Sequence, residues 1–171
     1  MGKVKKYNPT VKLVVGLLYQ DEAIFIKAKT QLKRKFGNFD FESQALDFKY
    51  TDYYTPEMGD NLKRRFMSFQ KLVPIGDLFR IKLYTNRLEM KFLKGKSRCI
   101  NIDPGYLDLA KLVLASTKDY AHRIYFGKGI FAEITLTYRG HSFAPNDWSY
   151  PDFRTQGYLD IFNQIRKLYA S

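Results

Sequence analysis

Residues 11–19, VKLVVGLLY, decide the fold. A strand with one solvated face alternates apolar and polar residues. Here Val14, Gly16 and Leu18 are as apolar as Leu13, Val15 and Leu17. A run without a polar side belongs in the middle of a sheet covered on both faces. It therefore argues against a bare aromatic sheet of the RNA-recognition type. It also requires later parts of the chain to extend the sheet or cover its second face.

Working outward, Asp21 precedes a helical pattern to Phe36, with Phe25, Ala28, Leu32 and Phe36 on one stripe and Gly37 at the C-terminal position. Residues 39–50 alternate loosely as a second strand, and 51–61, TDYYTPEMGDN, form a loop around Pro56 and Gly59. Lys63-Arg64-Arg65 lead into a third strand, 66–73. Pro74 opens a second helix ended by Gly95. Leu78, Ile81, Thr85, Leu88 and Phe92 lie on one side of it, and Arg80, Arg87, Lys91 and Lys94 on the other. Residues 99–102 read as a fourth strand. The order β-α-β-β-α-β is that of a ferredoxin-like plait.

Beyond it, Asp103-Pro104-Gly105 reads as a turn opening a helix over 106–115. Strands follow at 120–126 and 130–138, joined by Gly127-Lys128-Gly129, then a loop at 140–152 and a helix at 153–169. The expectation is one α+β domain. Residues 1–9 would be a flexible basic tail and 10–103 a ferredoxin-like βαββαβ core. Residues 104–171 would add a helix, β-hairpin and helix packed on a mainly antiparallel sheet.

The 171 residues are 45% hydrophobic and 16% aromatic, enough for a packed interior and against disorder. No apolar run approaches the roughly 18–20 residues that span a bilayer. The start, Met1-Gly2-Lys3-Val4-Lys5-Lys6, lacks the apolar core of a signal peptide, so a cytoplasmic location is expected. Cys99 is the only cysteine, which excludes an intramolecular disulfide and a multi-Cys zinc site. The net charge is +12, and residues 1–100 hold 21 Lys/Arg against 10 Asp/Glu while the rest hold 8 against 7. A basic half steers anions toward the protein or simply keeps it soluble.

Three constellations carry candidate chemistry. In NIDPGY, residues 101–106, Asp103 can cap a helix, bind a metal or take a proton, with Tyr106 beside it. In TDYYTPEMG, residues 51–59, Asp52, Tyr53, Tyr54 and Glu57 put two carboxylates and two phenols on a loop, the rings suited to stacking on a ring or to anchoring the loop. In the hairpin over 118–138, closing Phe126 on Ile130 sets Arg123 opposite Glu133 as a cross-strand pair. A one-residue shift of register sets His122 beside Glu133 instead. Imidazole is the side-chain group suited to proton transfer near neutral pH, which makes His122 a candidate, and Lys128 sits in a Gly-flanked turn. Asp52, Asp103, His122 and Glu133 would make an oxygen-rich metal site suited to Mg²⁺ or Mn²⁺ if the fold joined them. There is no P-loop, GxGxxG, HExxH or GxSxG pattern.

VGLLYQDEAIF, FESQALDFKYTDYYTPEMG, LKRRFMSF, NIDPGYLDLAKLVLASTKDYAHRIYFGKGIFAEITL and WSYPDFRTQGYLDIFNQIR together resemble the domain of unknown function 4416 family, over roughly residues 10–169. That family is found in bacteria and archaea, and some of its proteins are labelled GTP-binding protein. The resemblance implies one compact α+β domain; the missing P-loop gives the GTP label no support.

The leading expectation is a site for a phosphorylated ligand, nucleotide or RNA. Asp103, His122 and Glu133 would do acid–base or metal-assisted chemistry, and Asp52, Tyr53, Tyr54, Tyr106, Arg123 and Lys128 would bind the ligand. The rival is a nucleic-acid or protein interaction domain using Arg64, Arg65, Arg80, Arg87 and Lys91, with Lys27, Lys33 and Arg34 nearby. The sequence specifies no cofactor, reaction or oligomeric state.

Overall fold

The computed structural model describes residues 9–171. In chain order the strands are β1 (Thr10–Tyr19), β2 (Phe39–Glu42), β3 (Leu46–Asp47), β4 (Lys63–Phe69), β5 (Val73–Pro74), β6 (Leu93–Lys94), β7 (Ser97–Arg98), β8 (Ile100–Leu107), β9 (Lys111–Ser116), β10 (Ile124–Gly127), β11 (Ile130–Arg139) and β12 (Ser142–Pro145). The helices are α1 (Glu22–Phe36), α2 (Thr55–Met58), α3 (Leu78–Glu89) and α4 (Gln156–Ala170). Ten strands make one sheet, β10-β11-β9-β8-β1-β4-β2, with β12 beside β11, β3 beside β4 and β5 beside β1. β6 and β7 form a separate hairpin.

β1 lies between β4 and β8, antiparallel to both, and every residue of it except Thr10 is buried. Its two apolar sides explain this. Leu13, Val15, Leu17 and Tyr19 join Phe25, Ala28 and Leu32 of α1 and Ile81 and Leu88 of α3 on one face. Val14 and Phe66 meet Tyr158, Ile161, Phe162 and Ile165 of α4 on the other. Both expected ways of burying the second face occur: β9 to β12 widen the sheet, and α4 covers it. Each large side chain so buried contributes about 1.5–3 kcal/mol. α1 begins as read, with the Asp21 carboxylate accepting Ala23 N–H at 2.7 Å, and ends at Gly37 (φ +97°).

Several expectations need correction. The second strand is two short pieces, β2 and β3, and the loop after it contains α2. The helix expected from Pro74 starts at Leu78 after a 3-10 turn and ends at Glu89. Residues 106–115 are not a helix: β8 runs straight through Asp103-Pro104-Gly105 and pairs with β9. The expected strand at 120–126 begins only at Ile124 and ends at Gly127. Residues 1–8 of the expected tail lie outside the described residues. Pro9 is fixed, its carbonyl accepting Ile75 N–H at 2.9 Å. The sheet has ten strands where the plait has four.

A proline inside a central strand has a local reason. β8 pairs with β1 from Ile100 to Leu107 but with β9 only from Gly105 to Leu107. The two strands diverge below Gly105 and leave a fork. There α3 stands in for a strand. The Glu89 carboxylate accepts Ile102 N–H at 2.6 Å, and Lys82 Nζ donates to Ile102 O at 3.2 Å. Ile102 therefore points its backbone groups to the open edge. Pro104, two residues on, presents its donor-less nitrogen to the same edge, where no ladder partner waits. Gly105 then permits the strands to meet, since a Cβ there would lie 2.4 Å from Val113 O. Gly105→Ala should prise β8 from β9 and lower stability by about 1–3 kcal/mol or more, read as a shifted urea midpoint.

Candidate functional site

Asp103 stands at the fork, on the α4 side of the sheet with its cross-strand partner Gly16. Gly16 is what lets Arg64 reach it, because a Cβ at that position would sit 3.3 Å from Arg64 Nη1 and 3.0 Å from the Phe66 ring. The guanidinium crosses over β1 and donates to Asp103 Oδ2 at 3.2 Å, and Asn101 Nδ2 donates to the same oxygen at 2.7 Å. Lys82 Nζ comes round the open edge of β8 to 3.5 Å from Oδ1. The cations are inside: Arg64 and Lys82 side chains are 4% and 8% exposed, while Asp103 is 30% exposed. Burial pushes the Asp103 carboxyl up, but Lys82 and Arg64 outweigh it and hold the group below the usual carboxylate range. Next to it Arg98 makes a two-pronged pair with Glu57, at 2.9 and 2.8 Å, and donates to Glu89 and Asn101.

A second cluster lies where β9, β11 and the following loops meet. Glu133 Oε2 accepts from Arg123 Nε at 2.9 Å and contacts His122 Nε2 at 3.0 Å, while Thr135 donates to Oε1. The Arg123 and Glu133 side chains are each 3% exposed. Arg123 also donates to Ser116 Oγ, Lys118 O and Tyr150 OH, each at 3.0 Å. Above this buried pair His122 lies between Tyr120 and Trp148. The ring centroids are 6.0 and 5.7 Å away and the planes within 11° and 13°. Tyr120 is 50% and Trp148 43% exposed. A bulge between Ile134 and Leu136 sets Trp148 in place. Its indole donates to Ile134 O at 2.8 Å, and Arg154 staples the loop through the carbonyls of Asn146, Asp147 and Ser149.

Contacts through Lys118 and Tyr53 link the Arg123 cluster to Tyr54: Lys118 O accepts from Arg123 Nη1 at 3.0 Å, and the Tyr53 and Tyr54 rings meet edge-on with centroids 5.0 Å apart. Burial and the Asp103 charge push the Tyr54 phenol far above the usual range. Across the fork, Lys118 Nζ lies 4.1 Å from the centre of the Tyr53 ring.

The hairpin pairs Ile124 with Ala132 and Tyr125 with Phe131, as the sequence register requires. At the turn the partner of Ile130 is Gly127, not Phe126. In this register Arg123 meets Glu133, and His122 meets it as well without the one-residue shift. Of the expected site residues, Tyr53 joins Tyr54, His122 and Arg123 join Glu133, and Asp103 joins Arg64, Asn101 and Lys82. Tyr106 packs instead under α3 with Val11 and Leu78, on the opposite face. Asp52 is an exposed loop residue, and Lys128 is at the hairpin tip with φ +55°. Arg123, expected to hold phosphate, has its guanidinium occupied by Glu133, Ser116, Lys118 O and Tyr150. Of the cations expected to meet nucleic acid, Arg64 is buried and Arg65 is paired with Glu22 and Glu42. Arg80 and Arg87 on α3 and Lys91 in the 3-10 turn after it remain exposed, Arg80 paired with Asp77. Among the described residues no group of three His, Cys, Asp or Glu is placed to hold a metal ion, so Asp52, Asp103, His122 and Glu133 do not form one.

The blocks that build the fork and the ring row lie inside the segment, residues 9–169, matched by the family model described as a domain of unknown function (DUF4416). The chain belongs to the DUF4416 family. No curated protein and no solved structure matches it. Among the described residues of this DUF4416 chain, no helix is long and apolar enough to cross a membrane. Its site includes residues that sequence reasoning passed over: Lys82, Glu89, Arg98, Tyr120, Trp148 and Tyr150. A signal existed for two of them. Lys82 and Glu89 are seven apart and flank the core positions Ile81 and Leu88, so each is a charge on the buried side of α3. The others come together only through the fold.

Proposed function

We propose that the chain binds a phosphorylated ligand carrying a planar ring, a nucleotide or a nucleotide unit of RNA. The observation that carries this is the row Tyr120–His122–Trp148. Three near-parallel rings, two of them about half exposed, are clamped from below by a buried Arg123–Glu133 pair. Pre-ordered aromatic faces stack on bases with little further ordering entropy. Lys118, on the Tyr53 ring, offers positive charge for a phosphate, and the basic first half favours encounter with an anion. Asp103 is held ionised, which suits it to accept hydrogen bonds and not to take a proton near neutral pH. The reading is therefore of a binding site, with no reaction assigned. The central order β8-β1-β4-β2, with α1 and α3 on one face, supports reading the middle of the sheet as a ferredoxin-like plait enlarged by β9 to β12.

Trp148 is the only tryptophan, so intrinsic fluorescence reports on the row directly. Titration with nucleoside monophosphates and short single-stranded RNA should change its emission saturably. Tyr120→Ala, at an exposed site, should weaken binding by about 1–3 kcal/mol, the worth of one stacked ring. No change up to millimolar ligand contradicts the reading. RNA binding that leaves Trp148 silent and falls steeply between about 50 and 200 mM salt favours instead the basic helix faces with Arg80, Arg87 and Lys91.

A further inference from the structure

The charges at the fork are disposed in an unusual way. Two buried cations and an amide hold Asp103, whose side chain stays 30% exposed. Oδ2 is occupied by Arg64 and Asn101. Oδ1 has only Lys82 at 3.5 Å, beyond a normal N–H···O bond, and so keeps acceptor capacity. Polar atoms beneath are not all satisfied either. Arg64 Nε and the Tyr158 hydroxyl are buried without a hydrogen-bond partner among the described residues. Keeping two cations and a carboxylate together out of water is costly, which marks such clusters as sites for work other than stability.

Chemistry narrows the ligand group that fits. A phosphate would be repelled by the Asp103 charge and is better placed near Lys118. An ammonium or metal ion would meet Lys82 and Arg64 beside the carboxylate. A neutral donor remains, and an acceptor-only carboxylate binds hydroxyls well. A line of contacts joins the fork to the base of the ring row: Arg64 lies over Phe48, Phe48 meets Tyr54, Tyr54 meets Tyr53, and Lys118 bridges Tyr53 to Arg123.

We propose that the fork beside Asp103 is a sugar subsite, where its carboxylate accepts hydrogen bonds from the hydroxyls of a ribonucleotide. This rests on the reading that a nucleotide ring stacks on the Tyr120–His122–Trp148 row. It makes the protein selective for ribonucleotides and RNA over their deoxy counterparts, since the 2′-hydroxyl is the group that separates them.

The test keeps the full chain unaltered and varies the ligand. Trp148 fluorescence is titrated with ribonucleoside 5′-monophosphates and with their 2′,3′-dideoxy analogues. The dideoxy series should bind about tenfold more weakly, the effect of one charge-assisted hydrogen bond. Asp103→Asn, checked for native circular dichroism, should bring the two series to within about twofold; if that variant does not fold, the ligand comparison decides alone. Equal affinity of the two series overturns the sugar subsite and leaves the stacking reading standing. Absence of any response to ribonucleotides overturns both.

Discussion

Asp103→Ala should lower the unfolding free energy by about 3–5 kcal/mol, because it leaves Arg64 and Lys82 buried without their shared counter-ion. Arg64 has one other carboxylate in range, Asp152 at 4.0 Å, too far to replace a hydrogen-bonded partner. Asp152 itself is expected to behave in the opposite way. Burial raises its carboxyl against the lowering influence of Arg64, so its charge is a burden in the folded state. Asp152→Asn, which keeps an acceptor, should change stability by less than about 1 kcal/mol at neutral pH.

The pH dependence follows with a definite sign. Asp103 and Glu57 are held low in the folded protein, so their contribution is present above the usual carboxylate pKa near 4. It is lost as the pH falls through the lower folded values. Asp152 and Glu89 are raised by burial, so the penalty of ionising them fades as the pH drops from neutral toward about 4. Relative to Asp152→Asn, the unaltered protein should therefore gain stability on that descent. Urea midpoints at pH 7 and about pH 4.5 check it, and a constant difference between the two proteins contradicts it.

The second large effect concerns Glu133. Glu133→Leu strands the Arg123 guanidinium in a site where its side chain is 3% exposed, and should lower stability by about 3–5 kcal/mol. It also releases His122 from its anchor, so the ring row should lose nucleotide-induced fluorescence change. Adding Arg123→Met to Glu133→Leu should recover most of the stability, since the isolated charge is what destabilises, but not the fluorescence response. Purely additive stability losses in the double variant would contradict the account of this pair.

What the sequence disclosed and what it hid follow from the range of the interactions. The place of β1 was legible because the absence of alternation is a local property of nine residues. The pairing of Arg123 with Glu133 was legible because a short hairpin fixes its own register, apart from the shift at Gly127, whereas His122 reaches Glu133 without the change of register expected for it. The course of residues 103–115 was not. Pro104 and Gly105 carry the local signature of a turn and helix start. Only the fork between β8 and β9 makes a proline harmless and a glycine necessary in that strand. Likewise nothing near Gly16 announces that Arg64 passes over it, or that Trp148 and Tyr150 arrive from a loop far along the chain. The charge of +12 proved partly internal, with Arg64, Lys82 and Lys12 themselves buried and paired with Asp103 and Asp40.

The most direct test of the central claim maps a ligand onto the molecule residue by residue. Two-dimensional ¹H–¹⁵N spectra of the full chain would be recorded with increasing ribonucleoside monophosphate. The expected result is saturable shifts of the Trp148 indole N–H and the backbone amides of Tyr53, Lys118, His122 and Asp103, with Arg80, Arg87 and Lys91 unmoved. Shifts confined to the basic surfaces of α1 and α3, or none at the Trp148 indole, would contradict it.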